Sequence, residues 1–260
     1  MAGVVVTGLW RYPVKSVGGE QVERLRFTAD GVQGDRAFAI ATRTGGRVLT
    51  ARRSPELLEA TARRLGDAVE LTLPDGSTVH SDDPESADRL SDWLHLDVEL
   101  RRPSGQAVQV EEYLTESAKL ASFELPQWGF VDESPVHVLS EDLLAQGREW
   151  HPDGVWDVRR FRPNVVLSAG ELPQRGPIAA GRVLLDVTGP CRRCVMISMA
   201  QRGLAKDREL LRAVVTRSDK TFGVYANVLR TGVVCTGDQV ATPEAEPGFV
   251  AVSRGERGIR

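Results

Sequence analysis

Cysteine is scarce in this chain of 260 residues, with one each at positions 191, 194 and 235. An odd count of three builds no disulfide framework and points to a reducing compartment. Charge of a single sign is also lacking. Lys and Arg total 33 against 36 Asp and Glu, a formal net charge of −3, too near neutral for an electrostatic nucleic-acid binder or an acidic solvating tail. Long apolar runs are missing as well. No window approaches the roughly 20 apolar residues of a membrane span. The stretch from Met1 to Trp10 has neither the basic flank nor the apolar length of a signal peptide. The expectation is a soluble, cytoplasmic protein with neither nucleic acid nor a membrane as partner.

An apolar content of 41% with 27% charged residues excludes a disordered chain. A chain of this length buries roughly 70–75% of its unfolded surface, so a full core forms without covalent staples. The length suits one large domain or two small ones.

Short apolar runs dominate. Val4 to Val6, the alternating Val22 to Phe27, Ala37 to Ala41, Val48 to Thr50 and Val69 to Leu73 read as strands separated by Gly, Asp and Pro turns. Leu57 to Leu65 fits a short helix or a strand. Asp83 and Pro84 open a helix whose apolar face carries Ala87, Leu90, Trp93 and Leu94. Val98 to Leu100 follows as another strand. Residues 103 to 130 show weak periodicity and read as a linker or a long functional loop, with the domain junction near them. Within this stretch Trp128 and Phe130 are expected as exposed anchors packing back on the barrel, with the lining of a substrate mouth as the alternative.

Beyond the junction, Val136 to Leu139 is a buried-type strand, and Ser140 caps a helix with Glu141 and Asp142 in its first turn. Val165 to Leu167, Val183 to Val187, Val195 to Ile197 and Val224 to Val228 are further strand candidates, and Asp207 to Arg217 a helix candidate. Many short strands and few helices indicate a barrel-type β architecture. Cys235 is expected in the core of a terminal strand, and the residues from Pro243 onward are expected to fray.

The sharpest chemical feature is Cys191-Arg192-Arg193-Cys194. Neighbouring cations stabilise a thiolate, which a soft metal or a redox exchange requires. Structural zinc needs four ligands, whereas Cys235, His80, His95, His137 and His151 are dispersed along the chain. A thioredoxin-like couple opens a helix, whereas a strand is expected here. Two small buried hydrophobes at a strand turn are the third reading.

Lys15 and Ser16, in the glycine-bordered loop Arg11 to Gly19, bring an ammonium, a hydroxyl and open amides that suit a phosphate or pterin oxygen. The spacing is not that of a nucleoside-triphosphate loop, and a surface turn is the plainer alternative. In Arg160-Phe161-Arg162-Pro163-Asn164, Pro163 favours an extended Arg162. Arg162 and Asn164 then point the same way as an anion clamp, or form an ion-paired strand edge. Thr50-Ala51-Arg52-Arg53 and Asp132-Glu133-Ser134-Pro135 add a hydroxyl–guanidinium pair and an acidic strand mouth.

Taken in order, Tyr12 to Ser16, Gly34 to Arg36, Thr50 to Arg52, Asp132 to Pro135 with Val138 to Leu144, Arg160 to Asn164, Cys191 to Cys194 and Phe222 to Val228 resemble the MOSC superfamily. The likeness is to the branch with an N-terminal MOSC-type β-barrel domain that includes the amidoxime-reducing components. It runs from about Gly8 to Asp238.

The resemblance implies an α+β, β-rich fold. An N-terminal MOSC-type β-barrel-like domain is expected over residues 1–105, a MOSC β-barrel with flanking helices over 106–245, and a tail over 246–260. It further implies a molybdenum–pterin cofactor (molybdopterin) between the two domains, its molybdenum held by the pterin dithiolene and the Cys194 thiolate. Lys15, Ser16 and Arg52 match residues that contact the pterin or its phosphate. Glu133, Ser134 and Pro135 match a cofactor-lining loop, Arg162 and Asn164 a clamp, and Tyr225 a further contact. Arg193 matches the arginine before the ligand, and Cys191 joins the cofactor-binding set.

The activity so implied is reduction of N-hydroxylated compounds: hydroxylamines, N-hydroxylated bases or amidoximes. Electrons are expected from a separate ferredoxin-like, flavin or cytochrome-type protein, because no cysteine follows Cys235. A cofactor carrier or sulfur-handling protein without turnover, and a thiol–disulfide protein using Cys191 and Cys194, are the other two readings. In amidoxime-type members an acidic-Pro stretch with Thr-Gly follows the ligand; here Ser198 to Gly203 stands instead.

Overall fold

The computed structural model describes residues 3–105, 108–114, 119–125 and 129–242. Trp128 and the expected tail from residue 246 lie outside the described residues. The first strands are β1 (Val6–Arg11), β2 (Glu20–Val22), β3 (Arg24–Thr28), β4 (Gly31–Val32) and β5 (Ala39–Thr42). The single strand expected over Val22 to Phe27 is broken at Glu23. Residues 20–22 pair with β1, whereas Arg24 to Thr28 pair elsewhere.

The ambiguous Leu57 to Leu65 stretch holds both alternatives. A short 3-10 helix, Pro55–Glu59, buries Leu57 and Leu58, and β6 (Thr61–Leu65) follows. With β7 (Ala68–Thr72) and β8 (Thr78–His80) it forms an antiparallel sheet. In α1 (Ser86–Leu94) the cap position is Glu85 rather than Asp83. The Asp83 carboxylate accepts from the Glu85 amide at 2.9 Å, two residues too early to cap the helix itself. After β9 (Val98–Arg101), paired with β5, the stretch expected as linker or loop contains a regular antiparallel hairpin, β10 (Val108–Leu114) with β11 (Lys119–Leu125). Val110 and Leu125 pack against Ala39, Ala41, Val48 and Phe130. Phe130 is therefore a core residue, not an exposed anchor.

The remaining elements are β12 (Val136–Ser140), α2 (Glu141–Trp150), α3 (Val158–Phe161), β13 (Val165–Leu167), β14 (Gly176–Ala180), β15 (Val183–Arg192), α4 (Arg208–Ser218), β16 (Thr221–Arg230), β17 (Gly232–Cys235) and β18 (Val240–Ala241). Ser140 caps α2 as expected, its hydroxyl accepting from the Leu143 amide. Val195 to Ile197 are not a strand; Val195–Ser198 form a 3-10 helix. Cys235 is exposed because strand alternation turns Val234 inward instead.

One eight-stranded sheet runs β18-β14-β15-β16-β12-β13-β1-β2, and β17-β3-β4 form a smaller one. The first strands thus pair with the last. Val6, Leu9, Leu25 and Phe27 share a core with Val138, Leu185, Val224 and Val234. A second core gathers Val14, Ile40, Leu57, Leu71 and Leu90. Among the described residues no helix is long and apolar enough to cross a membrane.

The helices bury a third core of Leu139, Trp156, Phe161, Ile197, Leu210 and Phe222 against the sheet. Within it Arg160 is 1% exposed. Its guanidinium donates to the carbonyls of Val155, Ile197, Met199 and Ala205 at 2.7–3.2 Å. This one side chain fastens the irregular segment after Cys194 to α3. Arg160→Met keeps the bulk but strands four carbonyls, each worth roughly 1–3 kcal/mol when left unpaired in the interior. Allowing for relaxation, the variant is expected to lose about 3 kcal/mol or more in urea unfolding. Unchanged stability would contradict this assignment.

Candidate functional site

β1 delivers the chain into the loop Tyr12 to Gly19. Gly19 is needed there, because a Cβ would lie 2.4 Å from the Arg11 carbonyl. Ser16, buried at 7% exposure, adopts a left-handed φ of 64°, a conformation that costs a non-glycine residue about 1–3 kcal/mol. Lys15 is only 3% exposed, so it is no solvated turn lysine. Its ammonium donates to the Phe130 carbonyl at 3.2 Å and pairs with Asp132. Desolvation pushes the Asp132 carboxyl up, but Lys15, then Arg36 and Arg52, outweigh it and hold the group below the ordinary carboxylate range. Arg52 thereby belongs to the same neighbourhood.

Arg162 is not extended. It closes the four-residue α3 as a left-handed cap, with φ 56° and ψ 47°. Pro163 bars the right-handed helical region from its predecessor, and the turn still needs an end, so the left-handed region satisfies both. The Arg162 guanidinium donates to the Val17 carbonyl at 2.6 Å and lies 4.3 Å from the Tyr12 ring centroid. Arg36 lies 4.8 Å from the same centroid and pairs with Asp35, which also accepts from the Tyr12 amide at 2.7 Å. Tyr12 is therefore held between two guanidinium groups. Burial raises its phenol well above the ordinary range, and its hydroxyl has no hydrogen-bond partner among the described residues. Burial, then Arg36, lower Arg162 to about 10, so it stays charged at neutral pH.

At the other end of the cluster, β15 brings buried Cys191 to its penultimate position. Arg193 donates to the Cys191 sulfur at 2.7 Å and to the Phe161 carbonyl at 2.6 Å, while its buried Nε finds no partner among the described residues. Cys194 is half-buried and extended, heading the 3-10 helix. Burial disfavours the Arg193 charge, but Cys191, Tyr225 and Cys194 outweigh it and raise the group. Tyr225 packs edge-on to His137 at 6.1 Å, and burial, then Cys191 and Glu133, push its phenol up. Arg193 also acts electrostatically on Tyr12 and His137, which joins the two ends into one cluster.

The other expected residues shape the walls. Ser134 donates to the Ala226 carbonyl at 3.1 Å and lies 3.3 Å from that of Val136. Pro135 packs against Gly31, and Glu133 is exposed. Asn164 ties β1 to β12, accepting from the His137 amide at 3.1 Å and donating to the Trp10 carbonyl at 3.3 Å. Tyr12 and Arg36 are site residues that the sequence reading did not single out, although both lie inside motifs it noted. Among the described residues, Lys15, Arg36, Arg52, Arg162 and Arg193 outnumber Asp35, Asp132 and Glu133 around the cluster. Among the described residues no three His, Cys, Asp or Glu side chains are grouped to hold a metal ion by themselves. A groove of about 920 Å³ along Glu23, Arg24 and Cys235 includes none of these residues.

Residues 3–117 match the MOSC N-terminal beta barrel domain, and residues 126–241 match the MOSC domain. The chain is 26% identical to mitochondrial amidoxime reducing component 2 of Bos taurus, over 90% of this chain and 82% of that protein. It is also 26% identical to the molybdenum cofactor sulfurase of Drosophila grimshawi, over 84% of this chain; the chain spans about a third of such sulfurases, 31% in this case. The solved structure of the YuaD protein from Bacillus subtilis aligns over 91% of this chain and 94% of its own, with 15% identity and a TM-score of 0.48.

His137 carries a pH signature. Burial, then the Arg193 and Arg36 charges, push its imidazole well below 6.5. The unfolded chain therefore takes up a proton below about pH 6.5 that the folded chain refuses, and stability falls as pH falls. The slope is at most about 1.4 kcal/mol per pH unit. His137→Asn is expected to lose about 1 kcal/mol less than the parent between about pH 7 and pH 5.5 in urea unfolding. Parallel pH profiles for the two proteins would contradict this.

Proposed function

This chain belongs to the MOSC superfamily, with the N-terminal beta barrel domain ahead of the MOSC domain, and from that premise we propose that it is a molybdenum-cofactor-dependent reductase of N-hydroxylated compounds. Relatives named amidoxime reducing component and molybdenum cofactor sulfurase support a molybdenum-cofactor-related function. The observation that carries the finer reading is the cationic cluster running from Lys15 and Arg162 to Arg193 beside Cys194.

A molybdenum–pterin cofactor fits these residues. It is anionic, and the cluster has more cations than carboxylates, with the Arg193 Nε and the Tyr12 hydroxyl buried without partners. Among the described residues no three His, Cys, Asp or Glu side chains gather at Cys194, which suits a metal whose other ligands come from an organic chelator. When bound, the group supplies two-electron redox chemistry at the metal.

The chain's own residues bind and shield. Cys194 would be the protein's metal ligand, with the Arg193 guanidinium beside it. Cys191 holds the Arg193 guanidinium in place. Lys15, Arg52 and Arg162 would provide cationic donors for the cofactor's phosphate and pterin oxygens. Ser16 presents its hydroxyl and amide from the strained loop. Asn164 and Ser134 stiffen the wall through their backbone bonds, while Glu133, Pro135 and Tyr225 line the crevice.

An N-hydroxylated substrate takes two electrons and two protons and leaves as the reduced nitrogen compound and water. The electrons come from a separate ferredoxin-like, flavin or cytochrome-type protein. The likeness to the sulfurases favours a second reading, a cofactor carrier or sulfur-handling protein without turnover. Holo-protein offered a hydroxylamine and a chemical reductant separates the two: turnover supports the reductase, and its absence with metal intact supports the carrier.

The ligand assignment has its own test. Protein from a cofactor-competent host is expected to contain molybdenum and pterin. Cys194→Ser should fold normally, lose its molybdenum and lose activity. Arg162→Gln removes a charged hydrogen-bonding group and should weaken cofactor retention by about 10-fold or more. A Cys194→Ser protein with full molybdenum and activity would overturn the assignment.

A further inference from the structure

A second cationic pocket lies on the other side of the Thr50–Ser54 turn. Arg52 acts on the Asp132 neighbourhood, but Thr50, Arg53 and Ser54 of the same turn line a separate cleft of about 130 Å³, together with Arg47 and Leu96. The cleft includes none of Lys15, Arg52, Arg162, Arg193 or Cys194. Thr50 is only 2% exposed, yet its hydroxyl has no hydrogen-bond partner among the described residues. A hydroxyl buried without a partner costs roughly 1–3 kcal/mol, and a ligand oxygen would relieve that cost. Ser54, also buried, makes no capping bond to the 3-10 helix it precedes, which leaves its hydroxyl uncommitted to that turn. Arg47 and Arg53 bring two guanidinium groups to the opening, and among the described residues no carboxylate lines it.

We propose that this cleft binds a small tetrahedral oxyanion of the sulfate or inorganic phosphate class. Its volume is that of about four waters, enough for such an ion but not for a nucleotide. Two guanidinium groups and two hydroxyls match an acceptor-only ligand, since every one of them donates. Thr50 donates from the floor, and Arg47 and Arg53 close over the ion from the solvent side. The site is independent of the cofactor crevice, although the two share one turn of backbone.

Isothermal titration calorimetry of the purified full chain with sodium sulfate, and separately with inorganic phosphate at matched ionic strength, tests the site. Saturable binding in the millimolar range is expected for both ions. Thr50→Val and Arg47→Gln should each weaken it by about 10-fold, the loss of one hydrogen bond to a charged group. Arg162→Gln, in the cofactor crevice, should leave it unchanged. Arg47 is exposed, so its variant keeps the test decisive if Thr50→Val fails to fold. No saturable binding of either ion, binding that survives Arg47→Gln, or binding lost in Arg162→Gln instead would each overturn the proposal.

Discussion

Positive charge taken out of water without enough negative charge to meet it is the constraint around which this structure is arranged. Lys15, Arg162 and Arg193 belong to one cluster, and two of the described carboxylates near them, Asp35 and Asp132, serve Arg36 and Lys15. Isolated charges in a protein interior cost several kcal/mol each unless paired or hydrogen-bonded. The fold offsets part of that cost with backbone carbonyls: Phe130 for Lys15, Val17 for Arg162 and Phe161 for Arg193. It offsets another part with the face of Tyr12, between two guanidinium groups. What remains unsatisfied is an appetite for an anion, adjacent to a half-buried cysteine.

The chain's topology makes that convergence. β1 pairs with β13, β13 runs parallel to β12, and β12 pairs with β16, so Tyr12, Arg162, His137 and Tyr225 project from four neighbouring strands or their ends. β15 then brings Cys191 alongside β16, and Arg193 follows. Arg160 anchors the next segment through four carbonyls. The rigidity of this region rests on cations bonded to backbone oxygens rather than on salt bridges.

Much of this was legible in the sequence because strand alternation and caps are local. The β12 run with its Ser140 cap needed only the apolar pattern and one hydroxyl. Lys15, Arg52, Arg162 and Arg193 could be named from motifs because glycine-bordered loops and paired arginines stand out. The failures were tertiary. Val195 to Ile197 is an apolar run too short to reveal its period, and it coils because Arg160 gathers its carbonyls. Arg162 is left-handed because α3 ends there, and a four-residue helix leaves no periodic trace. The hairpin of β10 and β11 was obscured by the weak periodicity of its sequence. Tyr12 went unnoticed as a site residue because nothing local shows that two distant arginines will pack against its ring.

The proposal on which the rest depends is that the Cys194 sulfur bonds molybdenum carried by a pterin chelator. X-ray absorption at the molybdenum edge of the purified holo-protein tests it most directly. The account predicts one more sulfur neighbour per metal atom than the pterin dithiolene supplies by itself, and loss of that neighbour when Cys194 is replaced. A spectrum with dithiolene sulfur alone, unchanged by replacing Cys194, would contradict it.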